Sequence, residues 1–272
     1  MSTQPRAAAY FDPANGAYTP QDRRELAKNL AAILREDPEA YVREGEVPVT
    51  ASALLAESPV SGEPVLIEVL ELFAAGRGIA EPELAAVAFV RRYCEICLPG
   101  FLTLMCRYGV SLEGHLQNSI PVFRGGEPVR VLVRDFGGVR ILRERLVRQG
   151  IRVDLYPGSA VVIQDVEDLR NKIYYPVFQN HLGELVACLV RRLDLEEQCL
   201  WQPVAEVCRG VFRELKGDPA THEQATCDEA ALFRPTLGLK AMTTMRLLGD
   251  VTHYTFSEAA NALAEAEGSA RR

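Results

Sequence analysis

The spacing of apolar residues along the chain predicts a mainly helical protein. One long helical pattern runs over Pro82–Tyr108, and Gly109 is its predicted C-terminal stop. Because proline removes a backbone donor, Pro99-Gly100 should kink this helix or split it in two. A shorter helix is predicted to open at Pro64 and to end near Gly76. These two helices precede the polar segments that carry the candidate chemistry.

Further helices are predicted on both sides of this pair. Asp22 is the predicted cap of an N-terminal helix that stops before Asp37, and Asp165 is the predicted start of another. The predicted inward positions of the first are Leu26, Leu30, Ile33 and Leu34. The helix over Val139–Gln149 has a basic face that we interpret as solvated, with a phosphate contact by Arg140 as the alternative. The other helical segments lie near residues 177–193, 195–215 and 258–267.

Two short β-rich runs, Ser119–Phe123 and Pro128–Val133, flank a Gly-Gly pair and predict an antiparallel hairpin. If Gly126 and Glu127 form the centre of its turn, Asn118 lies directly opposite Asp135. Opposed side chains on such a ribbon have Cβ atoms about 5 Å apart. An amide oxygen and a carboxylate at that distance can share a Mg²⁺ ion with substrate phosphates. Two more short strands are predicted, at Ile151–Leu155 and Ala160–Ile163, around a turn at residues 157–158.

Three more polar side chains crowd the open end of the predicted hairpin: Glu113, His115 and Gln117. An acid, an imidazole and an amide beside a metal are sufficient for nucleotide chemistry. The alternative is structural, since a polar cluster can cap a helix and Asp135 can be an ordinary turn aspartate. The joint arrangement favours the functional interpretation.

Composition excludes several classes of protein. The chain has 272 residues, 48% of them hydrophobic and 25% charged, and its net charge is −7. That charge argues against a nucleic-acid partner. No apolar run is long enough to span a membrane, and the first residues do not resemble a signal peptide. Seven widely spread cysteines indicate reduced thiols in the cytoplasm, with Cys94 and Cys97 packed on a helix face.

The segment Leu239–Leu247 is an apolar run that contains two isolated cations, Lys240 and Arg246. Buried or half-buried cations need partners. Those partners are either anionic groups of a substrate or carboxylates elsewhere in the protein, and the sequence leaves both open.

Several of these motifs, in this order and spacing, resemble the C-terminal half of the NRPS-independent siderophore synthetases of the aerobactin-synthetase (IucA/IucC) family. The resemblance covers roughly residues 28–263, and the segments 34–41 and 53–59 resemble that family's middle region. The motifs that carry it are Glu113-Gly-His-Leu-Gln-Asn118, Arg134-Asp-Phe-Gly-Gly138, Tyr174-Tyr-Pro-Val-Phe-Gln-Asn-His181 and Lys240-Ala-Met-Thr-Thr-Met-Arg246.

The resemblance implies ATP-dependent activation of a carboxylate, such as one of citrate, as an acyl-adenylate that an amine or hydroxyl captures. It implies that Glu113, Asn118 and Asp135 bind Mg²⁺ or the nucleotide. His115 and Gln117 would then face the phosphates and the carboxylate. Lys240 and Arg246 would line the anionic site.

The resemblance also implies an α+β fold: a mainly helical, palm-like domain around a small antiparallel hairpin or sheet. We expect a flexible arm over residues 1–19 and one catalytic domain over residues 20–267. Members of that family are about twice as long, and their N-terminal half carries segments that clamp the ATP phosphates. We find no such segment before residue 28, and the family's late Asn-Pro-Leu signature corresponds only to Asn261-Ala-Leu263.

Three consequences of this shortness stay open. A second polypeptide supplies the missing half, the chain is a degenerate copy, or it binds ligand without turnover as a scaffold. The apolar surface that a missing half would leave exposed favours association, including homo-oligomers.

Two other functions fit the sequence less well. A kinase-like phosphotransferase also holds Mg²⁺ with an Asn and the Asp of Asp-Phe-Gly, but the expected glycine-rich loop, strand lysine and catalytic aspartate are missing. A ferric-siderophore reductase needs a tight C-terminal cysteine cluster, whereas Cys227 is the one cysteine in the last 60 residues.

Overall fold

The computed structural model describes residues 5–9, 19, 21–22, 25, 32–35, 37–155, 159–249 and 255–270. In these parts of the chain, helices and short strands alternate. The α-helices are α1 (Val65–Arg77), α2 (Pro82–Tyr108), α3 (Arg143–Arg148), α4 (Val166–Ile173), α5 (Gly183–Leu193), α6 (Glu197–Gly217), α7 (His222–Leu232), α8 (Met242–Leu248) and α9 (Ala262–Ala270). A π-helix spans Tyr174–Leu182, and 3-10 helices span Pro38–Tyr41 and Ala51–Leu55.

The strands form four small sheets. They are β1 (Pro5–Ala9), β2 (Ala32–Arg35), β3 (Val47–Pro48), β4 (Val110–Ser111), β5 (Ser119–Arg124), β6 (Glu127–Val133), β7 (Arg140–Leu142), β8 (Val162–Ile163), β9 (Thr236–Lys240) and β10 (Phe256–Ala260). The sheet orders are β1-β2, β3-β5-β6, β4-β7-β8 and β9-β10. Only the β7-β8 pair is parallel among the described strands. The predicted α+β class is confirmed.

Helix α2 is the centre of the hydrophobic core. Its buried side chains pack against α1, α6 and the β5-β6 hairpin, and Phe89 meets Phe73 of α1 edge-on at 5.4 Å between ring centroids. Cys94 and Cys97 are buried on this helix, as predicted. Burial of each large apolar side chain contributes roughly 1.5–3 kcal/mol, so this helix anchors the fold.

The predicted bounds of α2 are confirmed at both ends. Pro82 is its first residue, and Gly109 ends it in the left-handed conformation with φ 65°. The helix continues through Pro99 and does not split. Helix α1 follows Pro64 and ends at Arg77, next to the predicted Gly76, with Gly78 as its left-handed cap.

The N-terminal helix predicted from Asp22 is wrong at its far end. Residues 32–35 form strand β2, which pairs with β1 inside the predicted arm. Asp22 is itself helical, and Thr19 is the cap: each side chain accepts a hydrogen bond from the other residue's backbone N–H. The predicted inward positions Leu26 and Leu30 lie outside the described residues.

Two helix predictions are wrong in part because strand pairing overrides helix spacing, and one predicted strand does not form. The segment Val139–Gln149 begins as strand β7 and becomes helical only at Arg143. Residues 258–260 of the predicted last helix belong to strand β10. Residues 151–155 form no strand, whereas the second predicted run is a strand at Val162–Ile163. The predicted turn at Pro157-Gly158 lies outside the described residues.

The predicted hairpin is confirmed, but its predicted register is wrong. Gly125 and Gly126 form the two-residue turn, with φ 54° and 80°, one position earlier than expected. A bulge between Val122 and Phe123 then shifts the pairing, so that Ser119 pairs with Val133. The next rung joins Arg134 N to Asn118 O at 2.9 Å. Asn118 therefore faces Arg134 and not Asp135.

A buried ion-pair group joins the helices around the C-terminal end of α2. Asp228 on α7 is fully buried and binds Arg145 with both oxygens, at 2.6 and 3.0 Å. The same carboxylate accepts from Arg170 on α4 at 3.0 Å, and Arg145 also donates to the carbonyl of Met105 on α2. The predicted solvated face of the Val139–Gln149 segment is therefore wrong at Arg145, because Asp228 satisfies its charge inside the protein.

We expect Asp228→Ala to destabilise the fold by about 3–5 kcal/mol, because two buried guanidinium groups lose their carboxylate. Arg145→Ala should have an effect of similar size. Arg148→Ala is the matched control: this arginine is one turn away and exposed, and its loss should change the free energy of unfolding by less than about 0.5 kcal/mol. Urea unfolding measures all three. Equal midpoints for Arg145→Ala and Arg148→Ala would contradict the assignment.

Candidate functional site

Two polar loops converge at the open end of the hairpin. The first, Glu113–Asn118, follows strand β4 and leads into β5. The second, Asp135–Gly138, follows β6. A Cβ atom built on Gly138 would lie 1.9 Å from Oε2 of Glu113, so the second loop lies directly on the carboxylate of the first. The predicted convergence is confirmed, although the predicted Asn118–Asp135 pairing is not.

The carboxylate of Glu113 is ion-paired to a buried lysine. Lys172 Nζ of α4 lies 2.7 Å from Glu113 Oε1, and the two side chains are 3% and 20% exposed. Burial raises the pKa of Glu113, but the hydrogen bond and charge of Lys172 outweigh this, with further contributions from His115 and Lys240, and lower it. The carboxylate is therefore held in its charged form among cationic groups.

The first loop is held together by its own hydrogen bonds. Asn118 is buried, and its Nδ2 donates to the carbonyl of Glu113 at 3.1 Å. The backbone N–H of Gln117 donates to Nδ1 of His115 at 3.2 Å. His115 is half-buried and Gln117 is exposed. These bonds use part of the polar capacity of the loop and leave the Gln117 side chain accessible to a ligand.

The second loop begins with a strained aspartate. Asp135 is exposed and has φ 63°, a conformation that is uncommon for any residue other than glycine. Its Oδ1 accepts from the backbone N–H of Gly137 at 3.0 Å, which closes a local turn. Asp135 therefore forms the ordinary turn that the structural alternative describes, and its side chain is exposed.

A histidine in the π-helix joins the first loop to helix α2. Nδ1 of His181 lies 3.0 Å from the carbonyl of Gly114, and Nε2 lies 2.7 Å from the hydroxyl of Tyr93 on α2. Since a carbonyl only accepts, Nδ1 carries the proton and Nε2 accepts from Tyr93. Burial lowers the pKa of His181 to about 4, against the opposing effect of the Gly114 bond, so the ring is neutral at pH 7.

A glycine is needed at position 114 because the first loop passes close to helix α2 there. A Cβ there would lie 2.4 Å from the ring of Phe101 on α2. Its carbonyl also accepts from the hydroxyl of Ser119 at 3.1 Å. The loop is thereby pressed against α2 and cannot move without breaking buried hydrogen bonds.

The two predicted cations of the segment Leu239–Leu247 have different environments. Lys240 ends strand β9, is half-buried and is close enough to Glu113 to help lower its pKa. Arg246 lies on α8 and is exposed, so its predicted partial burial is wrong. The alternative of an internal partner is supported for Lys240, whose charge acts on Glu113.

Sequence reasoning missed Lys172 and gave His181 no role. A signal for Lys172 was present: Leu169, Lys172 and Ile173 share one face of α4, and an isolated lysine on an otherwise apolar face needs a buried partner. The identity of that partner depends on how α4 packs against the first loop, which no local pattern reveals.

An apolar cavity of about 440 Å³ lies behind the two loops. Its wall includes Leu112, which precedes the first loop, and Phe136 of the second. Over the part of the chain that the structure describes, no group of three or more His, Cys, Asp and Glu side chains is arranged to hold a metal ion.

A protein-family model matches the part of the chain that contains these loops. The family model described as "Ferric iron reductase FhuF-like transporter" matches residues 87–255, more than half of the chain. The matched range contains both polar loops, α4 and the π-helix. No helix among the described residues is long and apolar enough to cross a lipid bilayer.

Known relatives of the chain are siderophore synthetases. The D-ornithine–citrate ligase of Staphylococcus aureus is 26% identical over 259 residues, which are 90% of this chain and 39% of that enzyme. The crystal structure of the petrobactin biosynthesis protein AsbB from Bacillus anthracis superimposes with a TM-score of 0.79 at 21% identity, covering 100% of this chain and 43% of that one. The ATP-bound structure of aerobactin synthetase IucA from Klebsiella pneumoniae superimposes with a TM-score of 0.65 at 21% identity. The match covers 86% of this chain and 39% of that one.

The chain therefore spans about two fifths of the length of these relatives. The resemblance to siderophore synthetases is confirmed, and the chain matches one part of the length of each of these relatives.

The depressed pKa of His181 predicts a pH-dependent stability. In the unfolded chain this histidine has its ordinary pKa near 6.5, so at lower pH the unfolded state binds a proton that the folded state does not. The contribution is complete above pH 6.5 and is lost as the pH falls toward 4. Between about pH 7.5 and about pH 5 the loss is roughly 2 kcal/mol.

Denaturant unfolding at a series of pH values measures this effect. The difference in unfolding free energy between the wild type and His181→Gln should shrink by about that amount toward the acid end. His222→Gln, at an exposed histidine, is the control and should follow the wild-type curve. Parallel curves for the wild type and His181→Gln would show that His181 does not carry the pH dependence.

Proposed function

The chain belongs to the FhuF-like family, and from this premise we propose that it supplies the C-terminal part of a siderophore synthetase active site. The reaction is the ATP-dependent activation of a citrate-like carboxylate, followed by condensation with an amine or hydroxyl. In this proposal residues 20–267 act as one palm-like catalytic domain. A partner polypeptide supplies the remaining phosphate contacts.

The observation that carries the proposal is the convergence of the two loops around a fixed, charged Glu113. Three cationic or ionisable groups surround this acid: Lys172, Lys240 and His115. Such a corner suits anionic groups that are held close together. The relatives that match this part of the chain are ligases, which is the class of reaction that must bring a carboxylate to a phosphate.

The proposed reaction has two steps. A carboxylate oxygen attacks the α-phosphorus of ATP, the bond to the β-phosphate oxygen breaks, and pyrophosphate leaves with its electron pair. The amine or hydroxyl then attacks the acyl carbon, AMP leaves, and the proton of the nucleophile passes to a base. Cations are needed because the first step brings anions together.

The side chains on the two loops divide this work. Asp135, exposed at the start of the second loop, and Asn118 would hold Mg²⁺ together with the nucleotide phosphates. Bound Mg²⁺ supplies charge neutralisation at the phosphates. His115 and Gln117 face the phosphates and the carboxylate, and Lys240 and Arg246 neutralise the carboxylate substrate. Glu113 takes part through its charge on this cationic corner.

A redox function, which the name of the family suggests, has less support in this chain. Iron–sulfur centres need several thiolates at close spacing. Cys94 and Cys97 are the closest pair of cysteines along the sequence, and burial raises the pKa of both thiols well above the usual range. The thiols of this helix are therefore protonated and packed in the core.

Nucleotide binding tests the site itself. Titration calorimetry with ATP should show binding that requires Mg²⁺, and Asp135→Ala should weaken it at least about tenfold, or about 1.4 kcal/mol. Asp194→Ala is a matched control, because Asp194 is exposed on another loop and has a similar backbone, with φ 53°. Unchanged affinity in Asp135→Ala, or an equal loss in Asp194→Ala, would refute the role of Asp135.

Turnover tests the need for a partner. With citrate, ATP, Mg²⁺ and hydroxylamine, we expect the purified chain alone to form little hydroxamate. Addition of a protein that carries the matching N-terminal half should restore it. Robust hydroxamate formation by the chain alone would refute the partner requirement. Nucleotide binding without turnover in either mixture would identify a ligand-binding scaffold.

A further inference from the structure

We propose that Lys172 is a positioning residue of this site, which sets the orientation of the Glu113 carboxylate for the bound nucleotide and carboxylate substrate. This inference rests on the proposed function. It adds to the site a residue from outside both polar loops, on the helix α4 that packs beside them.

The burial of Lys172 is the first argument. Its side chain is 3% exposed, between Leu169 and Ile173, which are both fully buried. A charged lysine is costly at such a position unless a carboxylate compensates it. Glu113 is that carboxylate, at 2.7 Å, and it lies 59 residues away along the chain. The pair is therefore a specific tertiary contact between α4 and the first loop.

The second argument is that the other oxygen of Glu113 is also confined. Oε2 lies 1.9 Å from the position that a Cβ of residue 138 would take, so the glycine backbone of the second loop closes over it. With Oε1 held by Lys172 and Oε2 covered by Gly138, the carboxylate has one orientation. Lys172 thereby links α4, the first loop and the second loop through a single charged group.

The third argument is the position of Lys172 in the chain. It lies two residues before the π-helix that carries His181. Lys172 holds the side chain of Glu113, and His181 holds the carbonyl of the next residue, Gly114. One continuous segment thus fixes two successive residues of the loop. Long-range fixation of this kind is what a preorganised site requires.

Charge balance gives the pair its functional consequence. Lys172 supplies the largest share of the positive charge that balances Glu113, so the net charge around this acid depends on Lys172. Without Lys172 the acid would repel the phosphates or turn toward Lys240. We therefore expect loss of Lys172 to impair the binding of Mg-nucleotide through Glu113 rather than through packing alone.

A double-mutant cycle on nucleotide affinity tests this. Lys172→Met should weaken Mg-ATP binding about tenfold or more in the presence of Glu113 and less than about twofold in a Glu113→Gln background. Removing both charges together leaves no unpaired buried carboxylate, so the double variant stays folded even if Lys172→Met does not. Lys172→Arg should recover much of the affinity.

A second readout follows the carboxylate directly. In Lys172→Met the pKa of Glu113, followed by carbon NMR of the labelled side chain, should rise because the largest stabilising charge is gone. Lys216→Met is the matched control, since Lys216 forms an equally short bond, 2.6 Å, with Glu229 outside the site. It should change neither the affinity nor the pKa of Glu113.

The outcomes distinguish the positioning role of Lys172 from the proposed function. Equal losses of affinity in both backgrounds, or an unchanged pKa of Glu113, would overturn the positioning role while leaving the proposed function intact. A wild-type chain that binds no Mg-nucleotide would refute the proposed function, and the role of Lys172 with it.

Discussion

The structure depends on one constraint, which is that charges inside the protein must be paired. Asp228 is sealed in the core and binds arginines from α3 and α4, while Arg145 also holds carbonyl groups at the end of α2. Breaking any of these contacts would leave a buried charge uncompensated, which costs several kcal/mol. The relative positions of α2, α3, α4 and α7 follow from this group. Because α4 carries Lys172, the same group determines where the lysine meets the first loop.

Buried polar groups hold the first loop in place. His181 joins Tyr93 on the central helix to the carbonyl of Gly114, and all three partners are buried. Each bond is modest in net energy, but an unmade bond in the core costs more than a made bond contributes. The backbone of the first loop is therefore held at Gly114 by buried hydrogen bonds.

Charge at the site is arranged asymmetrically. Lys172 is paired with Glu113, whereas the half-buried Lys240 and the exposed Arg246 lie on the β9–α8 segment. Asp135 is exposed on the opposite loop.

The sequence by itself determined the elements whose signals are local. The spacing over Pro82–Tyr108 and the stop at Gly109 predicted α2 residue by residue, because apolar periodicity and a left-handed glycine are both local properties. The hairpin and its glycine turn followed from the same kind of signal, and so did the polar loops on either side. Only the tertiary structure decided the register, since one bulge at Val122 and Phe123 moved Asn118 opposite Arg134. It also decided the partners of Arg145, Lys172 and His181, because those partners lie 40 to 88 residues away and are selected by helix packing.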